Sequence, residues 1–247
     1  MIKFENTEVV GWEAAIRGMR NPMNSWEKSD SGYCQRDLLR DCTTCVHLDT
    51  GYPACYSKFD VGPNDYDLMM RLRNAGTDHR KFMRMITVYV DITAPLYWWK
   101  EFDTYKVGTV ANSCSTMHKI QEKEFTLEDF STDQLTPHSL VVLQDIVTTL
   151  NQYRMFYNDK DDKGIDIHTE MSDECYAKYK KDLWWQMIQL LPSSYNQKRT
   201  VMLNYEVLAN IYKSRKNHKL DEWSVGFMEW IESLPYSEFI IQKGEEK

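Results

Sequence analysis

The strongest structural signal in the sequence is the segment 86–92, Ile-Thr-Val-Tyr-Val-Asp-Ile, in which β-branched and aromatic residues alternate. Such alternation predicts a β-strand. A weaker alternation over residues 2–10 predicts a first strand, and a short helix is predicted to follow it at 12–19. The first part of the chain is therefore predicted to follow the order β, α, β.

The second half of the sequence is predicted to be mainly helical. A long amphipathic helix begins near Pro137, a residue type favoured in the first helical turn, and its apolar face carries Leu140, Leu143, Val147, Leu150 and Tyr157. Three more helices and one short strand follow, the helices at about 172–190, 197–214 and 219–233 and the strand at 239–241.

This order predicts one domain of the α/β (α+β) class over residues 1–247, with a central mixed sheet flanked by helices. Residues 21–63 are rich in Asp, Ser, Gly and Cys and have weak periodicity, which predicts an inserted loop. Residues 103–115 are predicted to be a second, polar loop.

Composition and charge exclude several classes of protein. The 247 residues carry a formal net charge of −7, which argues against sequence-independent binding to long nucleic acid. No apolar run approaches the roughly 20 residues that a membrane-spanning helix needs. The first residues show no signal-peptide core, so we expect a cytoplasmic protein.

Four cysteines are concentrated within the predicted inserted loop. Cys34, Cys42, Cys45 and Cys55 lie close together along the chain, and Cys42 and Cys45 form a C-x-x-C pair. One close pair with two further cysteines, or with His47 in place of one of them, provides the four ligands of a tetrahedral zinc site. The spacing does not repeat as two pairs, however, so free thiols without a metal are the alternative and our expectation.

Short motifs of several enzyme classes are absent. The sequence contains no G-x-G-x-x-G, G-x-x-x-x-G-K-[ST], H-E-x-x-H or G-x-S-x-G. Classical dinucleotide-binding folds, P-loop enzymes, zincins and α/β-hydrolases therefore have no sequence support. The cationic run His79-Arg80-Lys81 is a candidate for binding a small anion, and a solvated helix face is the alternative.

The segment Leu190-Leu191-Pro192, together with Asn204 and Arg215, resembles the C-terminal half of the flavin-dependent thymidylate synthases. In that family a Leu-Pro pair precedes an asparagine that contacts the flavin, and an arginine that contacts the pyrimidine follows the asparagine at a fixed interval. Here the intervals from Pro192 to Asn204 and from Asn204 to Arg215 match the family spacing without a gap.

Other segments resemble the family in the same order along the chain. Ala14-Ala15-Ile16-Arg17 resembles its N-terminal helix, and residues 76–84 resemble its glycine–histidine segment. Thr93-Ala94-Pro95 resembles the start of its next helix, and residues 112–118 resemble its N-E-x-S-x-R-Y motif. Glu222-Trp223 resembles the Q-x-E that follows the arginine.

The sequence departs from the family at arginines that bind anions. Residues 102–106, Phe-Asp-Thr-Tyr-Lys, replace the R-H-R signature, and Met117 replaces the arginine that grips the substrate phosphate. Ile188 and Glu206 stand at two further arginine positions. Each lost guanidinium removes a strong, charge-assisted anion contact.

The resemblance implies an enzyme that reductively methylates dUMP or a related pyrimidine deoxynucleotide, on the route to dTMP. It implies FAD as cofactor, methylene-tetrahydrofolate and NADPH as co-substrates, and a homotetramer with shared sites. The implied roles are catalytic for Arg215 and Ser115, flavin-binding for Asn204, His79 and Arg84, and substrate-binding for Arg199 and Lys106.

The lost arginines leave a second hypothesis open. On that hypothesis the chain is a catalytically degenerate member of the fold that acts by binding another protein, for instance as a phage-encoded regulator. Whether it is an enzyme at all is therefore not decided by the sequence. Visible absorbance of the purified protein separates the two hypotheses, because only the enzyme is expected to carry a flavin.

Overall fold

The structure is a computed structural model that describes residues 2–33, 59–160 and 171–241. Cys34, Cys42, Cys45, Cys55 and His47 lie outside these residues, so zinc binding and free thiols both stay predictions. Within the described residues, no group of three or more His, Cys, Asp or Glu side chains is placed to hold a metal ion.

The described residues form six strands and eight α-helices, interspersed along the chain. The strands are β1 Lys3–Val10, β2 Gly32–Tyr33, β3 Phe59–Asp60, β4 Thr87–Pro95, β5 Val110–Ser113 and β6 Asn196–Asn204. The helices are α1 Trp12–Arg20, α2 Pro63–Asn74, α3 Leu96–Phe102, α4 Thr116–Lys119, α5 Pro137–Tyr157, α6 Asp173–Leu190, α7 Tyr205–Arg215 and α8 Met228–Glu232. A π-helical segment, Glu222–Phe227, leads directly into α8, and a 3-10 helix, Arg80–Arg84, precedes β4.

Four strands form the central sheet in the order β1-β4-β6-β5. Each neighbouring pair is antiparallel, so the predicted α/β class is confirmed while the sheet is antiparallel throughout rather than mixed. Residues directly opposite each other in such a sheet point to the same face. One face is fully buried along Val88, Val90, Ile92, Val201 and Leu203, and it packs on the helices of the main core.

A second, smaller core lies between α5 and α6. Leu143, Val147 and Leu150 of α5 pack with Met187 of α6 and with Phe130 from the segment before α5. The helix predicted to begin near Pro137 does begin at Pro137, and the Thr136 side chain caps it by accepting a hydrogen bond from the Ser139 backbone. The helix predicted at 172–190 is α6.

Three predicted elements are wrong. The first half of the helix predicted at 197–214 is strand β6, because Gln197, Val201 and Leu203 bury a period-2 face against β4. Pairing with a distant strand overrides the local helical preference of such a segment. The polar loop at 103–115 contains strand β5, which pairs with β6.

The third wrong element is the strand predicted at 239–241. Ser237–Phe239 is a 3-10 helix, and the Phe239 ring packs against Trp12, Tyr66 and Tyr236 rather than joining a sheet. None of the described helices is long and apolar enough to cross a membrane.

Candidate functional site

Helix α7 separates the two residues that the sequence singles out most strongly. Asn204 is the N-cap of α7 and Arg215 is its last residue. With a rise of 1.5 Å per residue, these positions lie about 16 Å apart along the helix axis. The interval between Asn204 and Arg215 therefore places the two side chains at opposite ends of one helix, in two different surroundings.

Arg215 is fixed from several sides. Its Nε donates a hydrogen bond to the Tyr105 hydroxyl at 2.8 Å, and its Nη1 donates to the Glu101 carboxylate at 2.6 Å. The guanidinium also lies over the Trp223 ring, 5.1 Å from its centroid. These contacts hold the guanidinium in one orientation while Nη2 has no partner in the described part of the chain.

Glu101 receives a second donor from the loop after α7. The backbone N–H of Leu220 donates to His218 Nδ1 at 3.2 Å, so the proton of the neutral imidazole ring is on Nε2. That Nε2 lies 3.2 Å from Glu101 Oε2, the same oxygen that Arg215 contacts. Glu101 Oε1 receives no hydrogen bond from any described residue.

Glu101 lines a cavity on the protein surface. The cavity has a volume of about 510 Å³ and is lined by Tyr97, Glu101, His218, Lys219 and Leu220. This volume lies within the range of small-molecule sites. We call this cavity the α3–α7 cleft.

A second, wider cavity borders the α3–α7 cleft. The second cavity, of about 1230 Å³, shares Tyr97, Lys219 and Leu220 with the first. Its remaining wall includes the aromatic rings of Phe4 and Trp230.

Tyr97 lines both cavities, and its hydroxyl donates a hydrogen bond to Glu222 in the π-helical segment. Burial and the Glu222 carboxylate raise the pKa of Tyr97 well above its ordinary value, so this phenol stays protonated and donates. Isolated π-helical turns are frequent at functional sites. The Tyr97–Glu222 contact therefore fixes one wall of the cleft.

The other end of α7 is built around Asn204. Its Oδ1 accepts a hydrogen bond from the Val207 backbone at 3.0 Å, so this atom caps the helix. Gly108 adopts a left-handed conformation (φ 75°) beside it, and a Cβ on Gly108 would lie 3.0 Å from Asn204 Nδ2. The chain before β5 therefore packs closely on this end of the helix.

The cationic run 79–84 lies at this same end of α7. Arg80 forms an ion pair with Glu206, its Nε lying 2.9 Å from Oε2 and 3.1 Å from Oε1. Glu206 is in the first turn of α7, so the pair holds the 3-10 helix against that turn. His79 precedes the 3-10 helix and Arg84 ends it, and both side chains are exposed.

These contacts bring Asn204 into the neighbourhood of His79 and Arg84, the three candidates for flavin binding. The sequence resemblance predicts an arginine at the position of Glu206, and in this structure Arg80 places a guanidinium beside Glu206 from another element. Because the Arg80 guanidinium is paired with the Glu206 carboxylate, the two charges cancel.

Three further predicted site residues are not among those that line the α3–α7 cleft. The Ser115 hydroxyl caps α4 by accepting a hydrogen bond from the His118 backbone at 3.0 Å. Arg199 donates to Asp103 at 2.7 Å and stacks on Trp99. Lys106 is exposed in the loop before β5.

Sequence reasoning did not identify Glu101 and Tyr105 as the side-chain partners of Arg215, or His218 as the second partner of Glu101. One signal was available for Glu101, which is the only acidic residue in the aromatic helix α3. For the other two, the contacts arise from the way α3 and the following loop dock on α7, and no spacing along the chain encodes that docking.

Comparison with known proteins supports a relationship at the level of fold. No protein-family model matches the chain, and no curated protein matches its sequence. A crystal structure of thymidylate synthase X (ThyX) from Helicobacter pylori with FAD and dUMP superposes with a TM-score of 0.57 and 14% identity, covering 97% of this chain and 96% of that chain.

A second structure of flavin-dependent ThyX from Helicobacter pylori, complexed with FAD and dUMP, gives a TM-score of 0.56 and 16% identity over 94% of both chains. The fold expected from the sequence resemblance is thereby confirmed over nearly the whole chain.

Proposed function

We propose that the protein binds a pyrimidine deoxynucleotide in the α3–α7 cleft and catalyses its flavin-dependent reductive methylation, with dUMP or a related nucleotide as substrate. The observation that carries this proposal is the Arg215–Glu101 pair, whose carboxylate lines a cavity of about 510 Å³. The pair occurs in a fold shared with proteins that were solved with FAD and dUMP.

The orientation of Arg215 supports a catalytic role. Glu101 and Tyr105 hold its guanidinium from two sides, and Nη2 keeps free N–H donors. A charged donor that is already oriented stabilises negative charge that develops on a nearby pyrimidine ring, without reorganisation during the reaction. We therefore assign this role to Arg215. We assign Ser115 a structural role, since its hydroxyl caps α4.

The residues at the start of α7 and in the 3-10 helix packed against it are suited to bind a flavin dinucleotide. Lys81 and Arg84 are exposed and have no ion-pair partner among the described residues, so they are available for the diphosphate. The Nδ2 donors of Asn204 remain available to a ligand, while Arg80 is already paired with Glu206. When bound, FAD supplies hydride transfer. Methylene-tetrahydrofolate and NADPH complete the proposed reaction as co-substrates.

Visible absorbance and ligand titration of the purified protein test this proposal. We expect flavin bands, or uptake of added FAD, and binding of dUMP or a related nucleotide. Arg84→Ala should weaken FAD binding about tenfold because one charge-assisted contact is lost. Arg17→Ala, which removes an exposed arginine of α1, should leave FAD binding unchanged.

A colourless protein that binds neither FAD nor any pyrimidine deoxynucleotide contradicts the proposal, and the protein-binding hypothesis then remains. A homotetramer with shared sites belongs to the same proposal. Light scattering measures it, and a particle of about 29 kDa, the mass of one chain, contradicts it.

A further inference from the structure

Only one oxygen of the Glu101 carboxylate is bound by other described residues. Both of its described contacts, with Arg215 and His218, are made by Oε2. Oε1 accepts no hydrogen bond within the described residues, and the side chain lines the α3–α7 cleft with 34% of its surface exposed. A charged acceptor without a partner on a cavity wall is suited to a ligand that brings an N–H donor.

The two kinds of pyrimidine base meet such an acceptor differently. A 4-aminopyrimidine such as cytosine presents two N–H donors at position 4 and an acceptor at ring position 3. Uracil presents a carbonyl oxygen at position 4, and its one N–H is flanked by carbonyl oxygens on both sides. A negatively charged acceptor therefore attracts the amino group of the first base and repels the oxygens of the second.

The donors beside Glu101 complete the match. The Arg215 guanidinium lies against Oε2 and its Nη2 donors are unused by the described residues, so a donor stands beside the carboxylate that carries the free acceptor Oε1, while the one N–H of His218 is taken up by Oε2. A ring that carries an amino group beside an acceptor nitrogen is complementary to this order of groups. A ring with a carbonyl group at that place is not.

We infer that Glu101 is a specificity-determining residue that selects a pyrimidine deoxynucleotide with an amino group at ring position 4. This inference rests on the proposed function, because it concerns the ligand of the same cleft. Glutamate and aspartate also accept hydrogen bonds from the amino group of cytosine in nucleic-acid recognition.

The charges around the cleft favour one orientation of the bound nucleotide. Lys219 lines both cavities, and its ammonium group has no partner among the described residues. The wider cavity is lined by four carboxylates, those of Asp133, Asp221, Glu222 and Glu229. A phosphate is repelled from that side and attracted by Lys219, so it lies at the mouth of the α3–α7 cleft.

The test compares two nucleotides that differ only at position 4. Calorimetric titration of the full-length protein with dCMP and with dUMP should show about tenfold tighter binding of dCMP, as expected for one matched hydrogen bond to a charged acceptor. Glu101→Gln removes the charge and adds an amide donor, so it should bring the ratio of the two affinities close to one or reverse it.

Asp103→Asn is the matched control. Asp103 also pairs with an arginine next to α3 but does not line the cleft, so this variant should keep the parent's ratio. Circular dichroism checks that the variants fold. If Glu101→Gln does not fold, Glu101→Asp replaces it in the test. This variant keeps the charge on a side chain that is one methylene group shorter, so it should lower the ratio of the dCMP affinity to the dUMP affinity.

Failure of the inference can be told from failure of the proposed function. If the parent binds dUMP as tightly as dCMP or more tightly, or if Glu101→Gln keeps the parent's ratio, the inference is overturned while nucleotide binding stands. If the parent binds neither nucleotide, the proposed function fails and the inference fails with it.

Discussion

Two arginine–carboxylate pairs in this protein have similar contact distances and opposite surroundings. Arg20 of α1 donates to Asp65 of α2 at 2.6 Å, and Asp65 has no exposed surface. The second oxygen of Asp65 accepts from the hydroxyl groups of Ser29 and Ser31, both at 2.7 Å, and from the backbone of Asp30 at 3.1 Å. Both oxygens of this carboxylate are therefore used inside the fold.

The Arg215–Glu101 pair has the same length, 2.6 Å, but one carboxylate oxygen remains without a described partner, and Glu101 lines a cavity. The difference separates two uses of the same chemistry. A carboxylate with both oxygens occupied by protein donors stabilises the docking of two helices. A carboxylate with a free oxygen on a cavity wall is available to a ligand.

The largest effect on stability is expected at Asp65. Asp65→Asn leaves the Arg20 guanidinium buried without its counter-charge, which should lower the free energy of unfolding by about 3–5 kcal/mol. Urea unfolding at neutral pH measures this. Asp67→Asn is the control, since Asp67 pairs with Arg71 at the surface of the same helix and should change stability by less than about 1 kcal/mol. Equal effects of the two variants would remove the distinction between the pairs.

A comparable effect, on rate rather than on stability, is expected at Arg215. Arg215→Lys keeps the charge but loses the planar fork, so it should slow nucleotide-dependent flavin oxidation about a hundredfold or more, equivalent to roughly 3–4 kcal/mol. Unfolding free energy should fall by only about 1–2 kcal/mol, through the contacts with Tyr105 and Glu101. Arg71→Lys makes the same change at an exposed pair and should leave the rate unaltered. A loss below about fivefold for Arg215→Lys contradicts the assigned role.

A smaller effect is expected from pH, because it reflects only part of the Asp65 contribution. Burial raises the pKa of Asp65, but hydrogen bonds from Ser31, Ser29 and Arg20 outweigh it, so the pKa lies below its ordinary value. As the pH falls below about 4, the unfolded chain takes up this proton before the folded protein does, and stability is lost until the folded pKa is passed. Urea unfolding between pH 7 and pH 3 should show a steeper loss for the parent than for Asp65→Asn. Parallel curves would contradict this account.

The smallest effect is expected at Ser115. Ser115→Ala removes the cap of α4 and should cost at most about 1 kcal/mol, as should Ser172→Ala at the start of α6. Activity should stay within about twofold of the parent for both. A loss of activity confined to Ser115→Ala would show that its hydroxyl acts on substrate, contrary to the structural role assigned here.

The sequence predicts best those parts of the fold that local rules determine. Strand β4 follows from alternation alone, and α5 begins where Pro137 and Thr136 place its first turn. Strand β6 was missed because its partner is more than a hundred residues away, and such pairing leaves no local signature beyond a weak alternation. Strand β5 was missed too, because its four residues are all exposed and its partner β6 is also distant along the chain.

In the candidate site, too, features set by local sequence could be predicted and features set by distant contacts could not. The spacing of Asn204 and Arg215 is visible in the sequence, and the helix that joins them was predicted. The contacts of Arg215 with Glu101 and Tyr105, and of His218 with Glu101, are not visible, because they depend on how α3 and two loops dock at the end of α7. Sequence reasoning therefore finds the residue and misses what surrounds it.

The strand order has a consequence for synthesis on the ribosome. Val90 at the centre of the sheet pairs with Val201. The partner strand of β4 on this edge is therefore synthesised more than a hundred residues later. At ordinary rates of roughly 5–20 residues per second, this interval lasts roughly 6–22 s. Until β6 emerges, β4 can pair only with β1, and its other edge and its apolar face are open to neighbouring nascent chains. We therefore expect the yield of folded protein in a cell to depend on translation speed and chaperone capacity as well as on the stability of the finished sheet.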